Sequence, residues 1–421
     1  MKKCAFTIVA KNYIGLGQIL GQSVAKYHDD VDFYIVVADG FEEKPAMLPA
    51  NVILAKEALG YDSKTWTDMA FKYNLTEFCT SIKPASFQYM FDKGYDKAIY
   101  LDPDIYLFSP LTEAYERLDT YDVALTPQIA GIHVDYQGEH PEWAMNVNGI
   151  FNLGFCAMRN TQLSATVLAW WRLRLQKEAF ADRNVGDFTD QKWMDWMPGL
   201  LGNEHLYVFH NLGMNMAPWN YFERQLFMRD GQIMVKYRTD DNPYREDRLV
   251  FIHFAGYDYK KMKQGIISRK RIENLKEYED LSFATDIYGK AIVENQQVFD
   301  GFINNQYSYG TFDNGTPIQS FHRRLYHGYT EKHTVDNPFA TTQGSFYSLI
   351  KRKGMVEAGK KENIDKLSQR NIPDIEGKRR MIALLFSMLY KLFGYKRYVL
   401  FVKSLYNYCR PELHTFLINK K

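Results

Sequence analysis

Short runs of apolar and aromatic residues alternate with stretches of helical spacing through roughly the first 260 residues. Runs of this length, bounded by turn residues, are typical of buried strands in a parallel sheet. The first two runs, at 4–10 and 33–38, flank apolar residues of helical spacing between Ile19 and Tyr27, which indicates a βαβ unit. The same criteria predict strands at 51–55, 98–101, 123–125, 148–158, 205–210 and 249–254, and helices at 65–91 with a break at Pro84, at 111–118, at 161–178 and from 188. The sequence therefore predicts an α/β fold with a mainly parallel sheet flanked by helices.

The character of the chain changes near residue 265. Acidic and basic residues alternate from 268 to 280, strand patterns become scarce, and a polar, lysine-rich linker is predicted at 355–376. We expect three parts: an α/β domain at 1–264, a mixed and helical extension at 265–376, and a basic amphipathic helical tail at 377–421. The C-terminal extension as a whole is predicted to be mostly helical.

Composition excludes several classes of protein. The chain has 421 residues, of which 46% are apolar and 24% charged, as in folded globular proteins. Its net charge of +2 gives no general attraction to nucleic acid. The four cysteines show no CxxC spacing, which argues against a zinc site or a disulfide framework. The first residues lack a signal-peptide pattern and no segment has the 18–20 apolar residues of a membrane span, so we expect a cytoplasmic protein.

Positive charge is concentrated at the C-terminus. From Lys378 onward there are ten lysines and arginines against one acid, Glu412, so the tail is about +9 and the rest of the chain about −7. The tail is apolar over most of its helical circumference. It therefore fits either an amphipathic helix at the inner face of a membrane or a packed helix whose lysines extend to solvent.

A pair of aspartates follows the strand predicted at 98–101, within KAIYLDPDIYLFSP at 97–110. Open α/β sheets bind ligands at the carboxyl ends of strands, and residues two apart in extended chain face the same side. Asp102 and Asp104 are thus held together, stiffened by Pro103. Two close anions are stabilised by a cation such as Mn2+ or Mg2+, which also binds phosphate oxygens. Asp-Pro-Asp is equally typical of a turn, and the tripeptide alone leaves both interpretations open.

Other candidate positions also allow two interpretations. The loop at 10–13 follows the first strand, where it either contacts a nucleotide or begins a helix. Lys83 either reaches an anionic ligand or is solvated. His253 is followed by a glycine and by lysines at 260 and 261, which suits a chain that wraps a diphosphate, although a single histidine on a strand is often a core residue.

Three further segments carry candidate chemistry. Glycines interrupt the strand at 148–158, which indicates either a bulge or a close approach of the backbone to a ligand. The irregular stretch at 128–146, with its histidines and aromatic residues, is typical of a functional lid. Asp190 lies near the start of a helix, where aspartate often serves only as a cap.

Taken in order, these motifs resemble the retaining glycosyltransferases of family 8, a group that includes lipopolysaccharide galactosyltransferases and glycogenin. The matching sequences are YLDPDIYLFSPL at 100–111, FNLG at 151–154, Asp190-Gln191, and HFAG at 253–256. The resemblance covers about residues 1–262. It implies a GT-A fold, a bound Mn2+ or similar ion, and a nucleotide-diphosphate sugar donor, usually a UDP-sugar.

Carried over residue by residue, the resemblance implies a metal site made by Asp102, Asp104 and His253. Gly256 would allow the backbone to approach the phosphates, and Asp102 would also lie beside the nucleotide. The remaining implied contacts are made by Ala10, Asn12 and Tyr13 to the nucleoside, by Lys83 at a cationic position of the family, by Asn152 and Asp190 to sugar hydroxyls, and by Gln191 near the reactive face of the sugar.

Two positions depart from the family pattern. The lysine that usually binds the diphosphate stands three residues after the glycine, where this chain has Tyr259; Lys260 follows and is the nearest substitute. The residue after Asp190-Gln191 is Lys192 instead of another aspartate. The first departure bears on the diphosphate contact and the second on the sugar contacts.

We therefore expect a metal-dependent glycosyltransferase that builds a surface polysaccharide or lipopolysaccharide, acting on a glycan or lipid-linked acceptor. Two alternatives stay open. A sugar-nucleotide nucleotidyltransferase would share the sheet and the metal, although it would normally carry a glycine-rich, lysine-bearing loop after the first strand, of which 11–17 is a poor version. A non-enzymatic carbohydrate-binding protein could use the many aromatic residues, but it would have no need of a metal set.

Overall fold

The computed structural model describes residues 1–41, 45–46, 48–138, 140–238, 245–264, 275–356 and 374–418. All its strands lie before residue 254. They are β1 Lys3–Val9, β2 Val31–Val37, β3 Val52–Leu54, β4 Lys97–Leu101, β5 Ile105–Leu107, β6 Val123–Pro127, β7 Phe151–Arg159, β8 Ala181–Asp182, β9 Asp187–Phe188, β10 Leu206–Val208, β11 Arg224–Arg229, β12 Gln232–Tyr237, β13 Glu246–Arg248 and β14 Phe251–His253.

Helices separate the strands and make up most of the structure beyond residue 275. They are α1 Ile14–Ala25, α2 Ala55–Ala58, α3 Ser63–Lys72, α4 Leu75–Ser81, α5 Lys83–Asp92, α6 Thr112–Arg117, α7 Glu142–Asn148, α8 Gln162–Leu175, α9 Gln191–Met194, α10 Met197–His205, α11 Tyr259–Met262, α12 Ser282–Glu294, α13 Gln296–Ile303, α14 Ser320–Thr330, α15 Phe346–Arg352 and α16 Ile375–Asn407. Short 3-10 helices occupy Lys11–Tyr13, Leu275–Leu281 and Pro411–Leu417.

The central sheet has seven strands in the order β10-β6-β7-β4-β1-β2-β3. Every neighbouring pair in it is parallel except those made by β7, which runs antiparallel to both β4 and β6. The fully buried runs of β1 and β4 explain why both were predictable, because strands covered on both faces show continuous apolar sequence. The predicted α/β fold, with its mainly parallel sheet, flanking helices and helical C-terminal region, is confirmed.

The predicted helix at 65–91 is three helices. α3 ends where Tyr73 adopts an extended backbone, and Pro84 lies in the first turn of α5, where its missing N–H costs nothing. The irregular stretch at 128–146 contains the start of another helix, α7, whose last residue precedes Gly149 at a φ of 113°.

The glycines after β1 belong to helix packing. They lie inside α1, and a Cβ on Gly15 would stand 2.6 Å from the Cα of Phe299, while one on Gly21 would stand 2.5 Å from the Phe33 ring. Both positions need glycine because α13 and β2 pack directly against the α1 backbone. This gives the glycines near the end of β1 a structural reason other than a phosphate-binding loop.

The chain forms two compact units, one of residues 1–61 and 75–308 and a second of 62–74 and 309–421. The first holds the sheet and its flanking helices. The three-part division at 264 and 376 stays a prediction of domain organisation. Much of the linker predicted at 355–376 lies outside the described residues.

The second unit is built around Phe71 of α3. Its ring contacts those of Phe312, Tyr326, Phe339 and Phe346 at centroid distances of 4.6–5.9 Å. The buried Arg323 guanidinium donates to the main-chain oxygens of Phe71 and Tyr73, at 2.5 and 2.7 Å. This cation satisfies carbonyl groups that the C-terminus of α3 would otherwise leave unpaired.

The C-terminal helix α16 is bent back on itself at Gly394, which has a φ of 72°. The rings of Phe386 and Tyr398 lie 6.3 Å apart, and those of Phe393 and Phe401 lie 6.5 Å apart. In a straight helix, residues twelve and eight apart would be separated by about 18 and about 12 Å. The two arms therefore form a hairpin, which we call the C-terminal hairpin (375–407). None of the helices in the described part of the chain has the length and apolarity required to cross a membrane.

Candidate active site

Two sheet connections bring together three side chains of the kind that can bind a metal ion. Asp102 and Asp104 flank Pro103 in the turn between β4 and β5, and the amide of Asp102 donates to the carbonyl of Gly154 on β7. β5 pairs antiparallel with β14, which places His253 opposite Ile105. The amide of Phe254 then donates to the main-chain oxygen of Asp104 at 2.8 Å. His253 thereby reaches the aspartate pair, although it lies about 150 positions further along the sequence.

One imidazole nitrogen faces both carboxylates. His253 Nε2 lies 3.1 Å from Asp104 Oδ1 and 3.5 Å from Asp102 Oδ2, and the three potential ligand atoms lie within 4.8 Å of one another. The other ring nitrogen, Nδ1, is buried and has no hydrogen-bond partner among the described residues. Two carboxylate oxygens and one imidazole nitrogen fit a Mn2+ ion or a similar divalent cation.

The electrostatics of the three side chains also favour a cation between them. Burial raises the pKa of Asp102, despite the opposing influence of His253 and Lys83. Burial acts in the same direction on Asp104, but the nearby His253 and its hydrogen bond outweigh it, so the pKa of Asp104 is lowered. Burial opposes protonation of His253, yet the two carboxylates raise its pKa. The two carboxylates thus stabilise a positive charge at the position that a metal would occupy.

Gly154 allows β7 to pass directly beneath His253. A Cβ at this position would lie 2.5 Å from Cε1 and 2.6 Å from Nδ1 of the imidazole. The interrupted strand predicted at 148–158 is therefore a close approach of the backbone to the site.

Asn152 and Gln191 form a hydrogen-bonded pair beside the candidate metal ligands. Asn152 Oδ1 accepts from the amide of Gly154 at 3.1 Å, and its Nδ2 lies 3.4 Å from Gln191 Oε1. Gln191 Oε1 also accepts from the amide of Leu153 at 3.1 Å, and its Nε2 donates to the Asn148 carbonyl at 3.0 Å. The Gln191 amide is thereby fixed in one orientation at the start of α9.

Lys83 and Asp190 are both buried and lie against β7 at Leu153. Lys83 Nζ forms an ion pair with Asp190 Oδ2, donates to the Leu153 carbonyl at 2.8 Å, and stands over the Tyr100 ring at 4.0 Å. Asp190 occupies the residue before α9, but its side chain makes no capping bond to that helix. Its second oxygen accepts from the Thr189 hydroxyl at 3.1 Å.

The end of β1 contributes the residues predicted to contact a nucleoside. Ala10 is buried, and Asn12 has a buried Oδ1 with no hydrogen-bond partner in the described part of the chain. The Tyr13 ring lies edge-on to Tyr259 at 6.4 Å, and burial together with Asp104 raises the pKa of the Tyr13 hydroxyl. Tyr13 therefore lies near Asp104, one of the candidate metal ligands.

After β14, the two candidate residues for a diphosphate contact are Tyr259 and Lys260, and they have different hydrogen-bond partners. Gly256 has a φ of 78°, a conformation that glycine adopts most easily. The hydroxyl of Tyr259 lies 3.2 Å from Asp104 Oδ2 and 2.9 Å from the Phe254 carbonyl. Lys260 Nζ instead donates to Asn304 at 3.2 Å. At the position where the family that the sequence resembles has a lysine, this chain thus places a hydroxyl beside the carboxylate of Asp104.

Two residues of the site were missed at the sequence level. Asn215 is fully buried with a φ of 54°, and its Nδ2 donates to Thr126 and to Asn152 at 2.9 and 3.1 Å. The Trp219 ring lies edge-on to His253 at 5.2 Å. The only signal was the concentration of asparagine and aromatic residues at 211–224, which does not indicate which of them turn inward.

No protein-family model matches the chain. It is 25% identical over 236 residues to the uncharacterized protein YfnF of Bacillus subtilis (strain 168), a match that spans 54% of this chain and 72% of YfnF. Among solved structures, the galactosyltransferase LgtC, in complex with donor and acceptor sugar analogues, aligns with a TM-score of 0.38 at 16% identity, over 73% of this chain and 98% of LgtC.

The bifunctional glycosyltransferase WbbM aligns with a TM-score of 0.39 at 15% identity, over 71% of this chain and 51% of WbbM. The glycosyltransferase GlyE of Streptococcus pneumoniae TIGR4 aligns with a TM-score of 0.36 at 12% identity, over 74% of this chain and 67% of GlyE. Because these likenesses are distant, we infer the function of this chain from the residues of its own site.

Proposed function

We propose that this chain is a metal-dependent, retaining glycosyltransferase with a GT-A fold, of the family 8 type. The observation that carries the proposal is the convergence of Asp102, Asp104 and His253 at the carboxyl end of β4, beside the fixed amides of Asn152 and Gln191. A hard-donor metal site beside hydrogen-bonding amides suits a nucleotide-diphosphate sugar. We take the donor to be a UDP-sugar.

In this proposal Asp102, Asp104 and His253 hold Mn2+ or Mg2+. When bound, the ion supplies a positive charge for the leaving diphosphate. The backbone at Gly256 approaches the phosphates, and Ala10, Asn12 and Tyr13 line the nucleoside. Lys260 is left as a peripheral cation, because its contact is with Asn304.

The sugar lies against β7 in this arrangement. Asn152 and Asp190 are assigned to the sugar hydroxyls, with Lys83 as the buried partner of Asp190. Gln191 faces the reacting side of the sugar, and its amide is held by the Leu153 amide and the Asn148 carbonyl. These fixed dipoles need little reorganisation as charge develops on the sugar ring.

We further propose that the C-terminal hairpin rests on an anionic membrane surface at the cytoplasmic face, near a lipid-linked acceptor. Within 375–407 there are seven lysines and arginines against one acid. Twelve large apolar or aromatic side chains of the same segment are exposed, among them Leu384, Met388 and Leu392. Exposed apolar groups interspersed with cations match the interface of an anionic bilayer. The product in this proposal is a surface polysaccharide or lipopolysaccharide.

The experiment that tests the enzymatic proposal measures release of UDP from a panel of UDP-sugars with Mn2+ present. Slow hydrolysis of one donor, abolished by chelator and by Asp104→Ala or His253→Ala, is the expected result. Lys3→Met serves as the matched control and should keep the activity, because Lys3 lies at the start of β1 and pairs there with the exposed Asp30. Release that survives both active-site substitutions would contradict the proposal.

A further inference from the structure

The two oxygens of each metal-binding carboxylate have different partners. Asp102 Oδ2 faces His253 Nε2 at 3.5 Å, while Asp102 Oδ1 accepts a hydrogen bond from the Tyr100 hydroxyl at 2.5 Å. Asp104 Oδ1 faces the same nitrogen at 3.1 Å, while Asp104 Oδ2 lies 3.2 Å from the Tyr259 hydroxyl. Each carboxylate thus has one oxygen beside a tyrosine and one directed to the candidate metal position.

The two tyrosines approach from different elements, and each ring is fixed by its surroundings. Tyr100 stands two residues before Asp102 on β4 and faces the same side; its ring packs edge-on to Phe6 at 5.5 Å and carries Lys83 Nζ on its face. Tyr259 begins α11, and its ring lies edge-on to those of Tyr13 and Tyr288 at 6.4 Å.

Each hydroxyl has one proton to donate: Tyr100 directs its proton to Asp102 Oδ1, and Tyr259 shares its proton between Asp104 Oδ2 and the Phe254 carbonyl. The terminal torsion of an aspartate is otherwise soft, because its χ2 has a broad preference. A hydrogen bond to one oxygen restricts that torsion and so directs the other oxygen. Outer partners of this kind typically change metal affinity by about 10–100-fold when removed.

We propose that Tyr100 and Tyr259 are positioning residues that orient Asp102 and Asp104 toward a divalent cation. The inference rests on the proposed function, because it takes the cation to bind at Asp102, Asp104 and His253. It gives Tyr259 a role at the position where the resembling family has a lysine. Tyr259 acts on the carboxylate of Asp104. A tyrosine at this position gives the diphosphate no direct contact with a cationic side chain.

The test is a titration of Mn2+ alone into the full chain, followed by the electron paramagnetic resonance signal of free and bound Mn2+. Tyr100→Phe and Tyr259→Phe remove only the hydroxyls, and each should weaken Mn2+ binding by about tenfold or more and broaden the bound signal. Tyr115→Phe is the matched control: Tyr115 is also buried, and its hydroxyl donates to the Cys4 carbonyl at 3.0 Å. This control should bind Mn2+ as the wild type does.

The outcomes separate the inference from the proposed function. Wild-type affinity and signal in both tyrosine variants would overturn the inference and leave the metal site standing. Absence of Mn2+ binding by the wild type, or wild-type affinity in Asp104→Ala, would overturn the metal site and the inference together. The near-ultraviolet circular dichroism of each variant is compared with that of Tyr115→Phe, and if Tyr100→Phe does not fold, Tyr259→Phe alone decides.

Discussion

Lys83 and Asp190 form an ion pair in the interior of the first unit, where the two side chains are 1% and 3% exposed. They come from the start of α5 and the residue before α9, 107 positions apart in sequence. The ammonium group also contacts the Leu153 carbonyl of β7 and the face of Tyr100, whose hydroxyl donates to Asp102. One buried cation therefore links the candidate sugar side of the site to its metal side.

Removing the ammonium group of Lys83 should lower the stability of the fold. Lys83→Met leaves the carboxylate of Asp190 buried without its partner, and the free energy of unfolding should fall by about 3–5 kcal/mol. Chemical denaturation of the metal-free protein measures it. In the control Lys3→Met, the lost partner Asp30 is 55% exposed, so the loss should be at most about 1 kcal/mol. Equal losses in the two variants would show that the buried pair contributes no more than the exposed one.

The contact between Gly154 and His253 predicts an effect of a single methyl group. Gly154→Ala must displace the imidazole, because its Cβ would lie 2.5 Å from Cε1. We expect Mn2+ affinity to fall by about tenfold or more. Gly301→Ala on α13 meets no atom within 4 Å, so it should keep the affinity and stabilise the helix by up to about 1 kcal/mol. Unchanged Mn2+ affinity in Gly154→Ala would contradict the position assigned to His253.

The membrane proposal is tested by charge introduced into the C-terminal hairpin. Deletion of 378–421 is unsuitable, because Ile418 belongs to the core of the second unit. Leu384→Glu with Met388→Glu should weaken sedimentation with vesicles that contain phosphatidylglycerol by about 10–100-fold. Leu173→Glu with Leu200→Glu changes two equally exposed leucines of the first unit and should leave it unchanged. Equal binding by both double variants would remove the hairpin as the docking element.

His327 predicts a pH dependence for the second unit. Burial, with Lys72 and Arg324 nearby, lowers its pKa to about 4, whereas an unfolded histidine has a pKa of about 6.5. Between these values the unfolded chain binds a proton that the folded chain does not, so stability falls as pH decreases from 6.5 toward 4. The loss should reach about 1–3 kcal/mol.

Thermal unfolding at pH 7 and pH 5 measures this effect. His327→Gln should reduce the difference in Tm between the two pH values, while His333→Gln, at an exposed position of the same unit, should keep it. A wild-type pH dependence in His327→Gln would assign the effect to other groups.

The sheet could be predicted from the sequence because β1 and β4 are continuous apolar runs, and the place of Asp102 and Asp104 followed from the end of β4. The partnership of Tyr100 with Asp102 was also accessible in principle, since residues two apart in a strand share a face. The pairing of Lys83 with Asp190 was not, because it depends on how α5 and α9 pack on neighbouring strands of the sheet. The bend in the C-terminal tail was not accessible either, because its apolar pattern predicted one helix and only the positive φ of Gly394 shows that the helix turns back.

The central claim is that Asp102, Asp104 and His253 bind a divalent cation that holds a nucleotide diphosphate. It is tested most directly by calorimetric titration of UDP into the wild type and Asp104→Ala, each with Mn2+ and with chelator. We predict binding by the wild type with Mn2+, and a loss of that binding both with chelator and in the variant. Binding that is indifferent to the metal and to the substitution, or no binding at all, would contradict the claim.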